Sequence, residues 1–320
     1  MVETNTSKSI AGMSLGGGRK ENFFFSLLEF FPEKDRWFLT SLRQVKDEEE
    51  MDHDEAITSW VDNYKLHRLV VDFPLTKPLC ESCTLDCPGT ANCAHPVVQN
   101  VRQEMDDLVK EDQELVSSNP KRYEQVRNED NQIHYNRSVL HKETHEHILS
   151  KSFKRKLKKG YLPYWNRPID FWIWKHYYDQ ILSLFNISYD SFGNVSVMLM
   201  HRFHYLRRHL PKDLTMYESA TQIVLIELYR SKIISKKQLR ELDDMDIAPL
   251  ARLKIVKAIE AKLGVFIYEK DLELLAKHPK AFDSFLLAIA GKSLLMEKVR
   301  KIPCFGAKED PMFISPIFDS

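Results

Sequence analysis

The sequence predicts an α/β fold: a mixed sheet with flanking helices, interrupted by one large insertion. Three observations carry that expectation. Apolar strands crowd the first 72 residues in the order β-β-β-α-β. Regular α/β alternation returns after about residue 190. The stretch between them holds a cysteine cluster, a basic run and an aromatic segment instead.

Residues 1–8 read as a flexible lead, and residues 9–72 as the first part of the core. Ser9 to Met13 is a short strand ended by Gly16-Gly17-Gly18. Asn22 to Phe30 and Arg36 to Arg43 are rich in Phe, Leu and Trp, which suit a pleated and half-buried surface. Pro32 and the charged residues through Asp35 form the turn between them. Asp54 to Tyr64 spaces Ala56, Ile57, Trp60 and Val61 as one helix face. In His67 to Asp72 the run Leu69-Val70-Val71 is uninterrupted, the pattern of a strand buried on both faces inside a mixed or parallel sheet.

Residues 73–190 read as the insertion. A charged helix is expected over Pro96 to Val116, followed by a polar stretch rich in Asn, Arg and His. The second part of the core, 191–300, has helices at Val195 to Leu210, Ala220 to Ser231, Ala248 to Leu263, Glu269 to Lys277 and Ala281 to Lys298. Leu214 to Glu218 is a short strand among them. Residues 301–320, with Pro303, Pro311 and Pro316, form an extended tail.

At 320 residues, with 43 % hydrophobic and 29 % charged side chains, the chain can bury a sizeable core. Lys plus Arg and Asp plus Glu each number 46, so any surface for a polyanion must be a local patch. Apolar stretches such as Phe282 to Ala290 are too short to cross a bilayer, and Met1 to Ser9 lacks a signal peptide's apolar core. These features point to the cytoplasm and to no membrane partner; nothing in them sets an oligomeric state.

Cys80, Cys83, Cys87 and Cys93 form a C-x2-C-x3-C-x5-C cluster, with Pro88, Gly89 and Pro96 for its turns. Thiolates at this density hold Zn²⁺ tetrahedrally, the first expectation because structural four-thiolate sites are closed and redox-silent, or carry an iron–sulfur cluster, the alternative. His95 is a substitute ligand. The fifth cysteine, Cys304, is far from the cluster in sequence. His201 and His204 share a helix face, but their spacing is an ordinary one.

Three carboxylates stand at element ends: Asp72 after the buried strand, Glu218 at the end of another, and Asp283 on the last apolar helix. A carboxylate in apolar surroundings is costly unless it is paired or binds a cation. Two-metal phosphoryl chemistry uses such a cluster, with Mg²⁺ or Mn²⁺ on oxygen ligands. The basic run Lys151 to Lys159, with Lys154, Arg155, Lys156, Lys158 and Lys159, leads into Tyr161, Tyr164, Trp165 and Arg167. Cations track phosphates and aromatic faces stack bases, so this segment is a candidate for nucleic acid. Phe171, Trp172, Trp174, Tyr177 and Tyr178 recur at helical spacing and read as core.

Four short segments carry a family resemblance: Gly12-Met13-Ser14-Leu15-Gly16-Gly17, Val70-Val71-Asp72-Phe73-Pro74-Leu75, Tyr217-Glu218-Ser219-Ala220, and His278-Pro279-Lys280-Ala281-Phe282-Asp283-Ser284. The chain resembles the family known as domain of unknown function 429, predicted nucleases with an RNase H-like fold. Arg167-Pro168 sits where that family carries an arginine. The resemblance implies an RNase H-like mixed sheet and a metal-dependent phosphodiester hydrolase with Asp72, Glu218 and Asp283 as catalytic residues. Two of the family's acidic positions are replaced here, by Ser14 and by Lys280. A non-catalytic interaction module that keeps the fold and a structural metal is therefore the alternative. A third reading, an actin-like ATPase or sugar kinase relative, rests on Leu15-Gly16-Gly17-Gly18 as a phosphate-binding turn.

Overall fold

The structure is a computed structural model that describes residues 8–15, 23–45, 51–121, 124, 140–185, 203–304 and 313–319; of His53 only the backbone is described. The glycine run at 16–18, His201 and the first part of the helix expected at Val195 lie outside these residues. The chain divides into two units. One comprises Met1–Leu75, Val195–Lys301 and Met312–Ser320, the other Thr76–Asn194 and Ile302–Pro311.

The first unit is α/β, with a six-stranded mixed sheet flanked by helices. Its strands are β1 (Ser9–Leu15), β2 (Phe23–Phe31), β3 (Arg36–Gln44), β4 (Arg68–Val71), β5 (Thr215–Glu218) and β6 (Val265–Phe266), in the spatial order β5-β4-β1-β2-β3-β6. β2 runs antiparallel to both β1 and β3, while β4, β5 and β6 add in parallel at β1, β4 and β3 respectively. Helix α1 (His53–Asn63) makes the crossover from β3 to β4, opened by Asp52, whose side chain accepts from the amides of Asp54 and Glu55.

Strand periodicity divides β1 between two cores. Ala11, Met13 and Leu15 join Phe23, Phe25, Leu27, Leu69 and Val71 beneath α1, where Ala56, Ile57, Trp60 and Val61 meet them with Phe203, Leu206 and Leu210. Ile10, Gly12 and Ser14 face the other way. There the sequence-expected final helix packs, from Pro279 to Leu295.

Between β5 and that helix come α5 (Thr221–Arg230), α6 (Lys236–Glu241), α7 (Ala248–Leu263) and α8 (Glu269–Lys277), and the helix itself is α9 (Pro279–Leu295). α9 is apolar nearly all round because it lies against β1, β2, β4, α5 and α8. Its approach to β1 is close: a Cβ on Gly12 would stand 2.1 Å from the Ser284 carbonyl oxygen and 2.4 Å from the Ala288 nitrogen. Ser26 and Ser284 hydroxyls, 2.6 Å apart, satisfy each other in the same contact.

The two-residue β6 and the six-residue α6 went unread in the sequence, being too short for either periodicity to register. β1 extends two residues beyond the expected Met13. Of the tail, Phe313 forms a parallel bridge with Glu218, and Pro316 an antiparallel one with Val299.

The second unit contains α2 (Pro96–Ser118), α3 (Lys151–Lys159) and α4 (Pro168–Phe185). Phe171, Trp172, Trp174, Tyr177 and Tyr178 are all buried in α4, as their helical spacing predicts. The Phe153 ring of α3 packs on Tyr178, Leu157 of the same helix is buried, and α2, which packs on α3 and α4, buries Val97, Val98, Val101, Met105 and Leu108. No helix among the described residues is long and apolar enough to cross a membrane.

Candidate functional site

Parallel pairing builds the carboxylate site of the first unit. Met13 of β1 lies beside Val71 of β4, so the next residues, Ser14 and Asp72, emerge together at the strand ends. Ser14 Oγ donates to Asp72 Oδ2 at 2.6 Å, and the Leu15 amide donates to Asp72 Oδ1 at 3.3 Å. Ser14 is fully buried. Its position on the α9 face follows from the alternation that sends Met13 the other way.

From α9 comes the residue that defines the site. Lys280 Nζ lies 3.1 Å from Asp283 Oδ2 and 3.6 Å from Asp72 Oδ2. One ammonium thus bridges two carboxylates that come from a strand end and a helix 211 positions apart in sequence (283 − 72). Burial alone pulls the Lys280 pKa down, but Asp283 and Asp72 together outweigh it and the net shift is upward. Burial pushes the Asp283 carboxyl up, and the like charge of Asp72 adds to this, against Lys280 and Arg252. Arg252, from α7, meanwhile caps α8 by donating to the carbonyls of Ala276 at 2.7 Å and Lys277 at 3.4 Å.

Glu218 has another task. β5 places it beside Val71, yet its Oε2 accepts from the Leu75 amide at 3.1 Å. The carboxylate thereby ties down the segment that leaves β4.

In the second unit the cysteine segment is an irregular loop with 3-10 turns at Leu79–Glu81 and Thr90–Asn92. Gly89 sits at φ +93°, a conformation that L side chains rarely adopt. The Cys80 amide donates to the Pro163 carbonyl at 3.2 Å. Arg102 of α2 donates to the carbonyls of Thr90 and Ala91 and holds the loop to the helix. Cys80, Cys83 and Cys87 are exposed and Cys93 is half-buried. Burial raises the Cys80 pKa, and the charges of Cys93, Cys83 and Cys87 raise it further. His95 Nδ1 accepts from the Val97 amide at 3.3 Å and acts as the N-cap of α2.

The basic helix α3 sorts its cations. Lys154 pairs with Asp112 at 2.6 Å, and the Lys156 ammonium lies 4.3 Å above the centre of the Trp174 ring. Lys151, Arg155, Lys158 and Lys159 are exposed, as are Tyr164 and Trp165 just beyond the helix. Tyr161 is buried, with its hydroxyl on the Asn166 carbonyl at 2.8 Å and its pKa driven far up by burial. Arg167 is buried as well, paired with Asp170 at 2.9 Å across the start of α4. That pairing keeps its guanidinium out of the exposed cationic set.

Among the described residues, ligating atoms of three or more side chains come within 4.8 Å of one another at one place: Glu143, His145 and His176. Neither the four thiols nor Asp72, Glu218 and Asp283 gather in that way. The triad escaped sequence reading because Glu143 and His145 sit in a polar stretch, while His176 is embedded in the aromatic pattern of α4. The only sequence signal is a Glu-x-His pair, which is common.

No protein-family model matches this chain, and no curated protein or solved structure matches it.

Proposed function

We propose that the chain is an RNase H-like protein, related to the predicted nucleases it resembles, that binds nucleic acid without cleaving it. One observation carries the reading: the Lys280 ammonium occupies the space between Asp72 and Asp283. In a hydrolase of this kind a divalent cation would be held by such carboxylates. The residues present do not fit a two-metal centre. Two acidic positions are a serine and a lysine, Asp72 is engaged by Ser14, and Glu218 is engaged by a backbone amide.

The fold reading draws support from the chain order, three antiparallel strands, a helix, and then two strands added in parallel on the far side of β1. The binding reading draws support from α3, whose exposed Arg155, Lys158 and Lys159 lie near exposed Tyr164 and Trp165 in sequence. The cysteine cluster would then be a structural centre, Zn²⁺ or iron–sulfur, that orders the loop beside α2.

The test compares the unaltered chain with Ser14→Asp/Lys280→Asp. Mg²⁺ or Mn²⁺ binding is followed by calorimetry, and cleavage on single- and double-stranded DNA and RNA. The unaltered chain should neither bind the metal at this site nor cut, while the double variant should gain a metal. Metal-dependent cleavage by the unaltered chain that Asp72→Asn abolishes would overturn the proposal.

A further inference from the structure

Segment 140–150 and helix α4 bring together two imidazoles and a carboxylate that no part of the nuclease reading uses. Glu143 Oε2 lies 2.5 Å from His176 Nδ1 and 3.6 Å from His145 Nδ1, and the two imidazole rings meet edge to face with centres 4.9 Å apart. All three side chains are largely withdrawn from solvent, at 12 % exposure for Glu143, 16 % for His176 and 26 % for His145.

We propose that Glu143, His145 and His176 form a binding site for a first-row divalent transition metal, Zn²⁺ foremost. The donor set selects the metal. Imidazole nitrogen suits Zn²⁺, Cu²⁺, Fe²⁺ and Ni²⁺, whereas Mg²⁺ and Ca²⁺ want oxygen alone. Two histidines and one carboxylate leave a fourth position for water or an exogenous ligand, unlike a closed four-thiolate site.

The surroundings are those of a fixed site. His145 Nδ1 lies 3.2 Å from the Lys175 carbonyl, an outer partner of the kind that sets the tautomer of a ligating histidine and leaves Nε2 as its ligating nitrogen. Thr144 Oγ1 donates to Gln180 Oε1 at 3.3 Å and accepts from the Asp179 amide at 3.2 Å, and Gln180 Nε2 donates to the Lys142 carbonyl. These bonds pin the chain to α4 on both sides of Glu143 and beside His145. On α4 itself, the Trp172 ring centre stands 4.3 Å from that of His176. The three ligands therefore sit on a helix and on a strap bonded to it, and a metal would take the place of the hydrogen bond between Glu143 and His176.

The site is independent of the cysteines, and the experiment keeps them apart. Zn²⁺ is titrated into the full chain carrying Cys80→Ser, Cys83→Ser, Cys87→Ser and Cys93→Ser, with circular dichroism to verify folding. One Zn²⁺ per chain is expected, and adding His176→Ala or Glu143→Gln should weaken it more than about 100-fold, since loss of an outer partner alone costs 10- to 100-fold. A folded thiol-free chain that takes up no Zn²⁺, or whose uptake His176→Ala leaves unchanged, would show that the triad is only an internal hydrogen-bonded cluster. Should the thiol-free chain fail to fold, Co²⁺ is added to the unaltered chain and tryptophan emission is read, and only the part of the quenching that Trp172→Phe removes is assigned to the triad. That part is expected to vanish in His176→Ala. A Trp172-dependent quenching that His176→Ala leaves intact, or none at all, would overturn the site.

Discussion

A lysine in the first turn of a helix faces the positive end of the helix dipole, an arrangement that needs compensation. For Lys280 the compensation is Asp283 one turn on and Asp72 from β4. The arrangement is reciprocal, because Asp283 has its pKa raised by burial and held back by Lys280. A carboxyl with a raised folded-state pKa binds its proton more tightly when folded. Its contribution is therefore complete below the ordinary carboxylate pKa and is lost as pH rises through the folded value. Removing Lys280 takes away the main opposing charge and lifts Asp283 further. Lys280→Ala should thus lose stability more steeply than the unaltered chain as pH rises above the ordinary carboxylate range, read as urea midpoints along a pH series. Parallel pH dependence for the two chains would mean that Lys280 does not act on Asp283.

At the scale of elements, the packing of β1 on α9 decides whether the site exists, because it brings Lys280 to Asp72. It depends on the absence of side chains. Gly12 admits the backbone of α9 at Ser284 and Ala288, and a Cβ on Gly291 would stand 2.5 Å from Ile10 Cδ1. Flexible Ile10 can yield, but helix backbone cannot. Gly12→Ala should therefore destabilise the chain by about 3 kcal/mol, at the upper end of overpacking costs, and Gly291→Ala by less. Equal midpoints for Gly12→Ala and the unaltered chain in chemical denaturation would rule out so close an approach. The structure supplies a physical reason for a glycine at position 12: the strand must lie against a helix there.

For the whole molecule, 46 basic and 46 acidic side chains cancel, so attraction to a polyanion must be local. Arg155, Lys158 and Lys159 on the exposed side of α3 are the cations placed for it, whereas Lys154, Lys156 and Arg167 are engaged within their unit. Changing Arg155, Lys158 and Lys159 together to Ala should weaken binding to a single-stranded oligonucleotide. It should also flatten the salt dependence, by a slope of about 0.7 for every phosphate no longer neutralised. Trp165→Ala should cost about 1–3 kcal/mol by removing a stacking surface and leave that slope alone. Anisotropy titrations across salt concentrations separate the two effects, and unchanged affinity in both variants would take nucleic acid out of the proposal.

Periodicity made much of the framework legible. Phe-, Leu- and Trp-rich runs marked β2 and β3, the run Leu69-Val70-Val71 marked a strand with neighbours on both sides, and helical spacing marked α1 and the aromatic residues of α4. Asp72, Glu218 and Asp283 stood out because a charge at an apolar element's end is costly without a partner. The sequence by itself thus determined the α/β class, most of the elements and the four-cysteine density. What it could not determine was who meets whom. That Lys280 rests between Asp72 and Asp283, that Glu218 turns to a backbone amide, that Arg167 is buried, and that His176 joins Glu143 and His145 were decided by tertiary structure. Periodicity reports which face of an element is buried, whereas a site depends on which distant elements share that face, and β4 meets α9 only through the register of the sheet and the space left at Gly12.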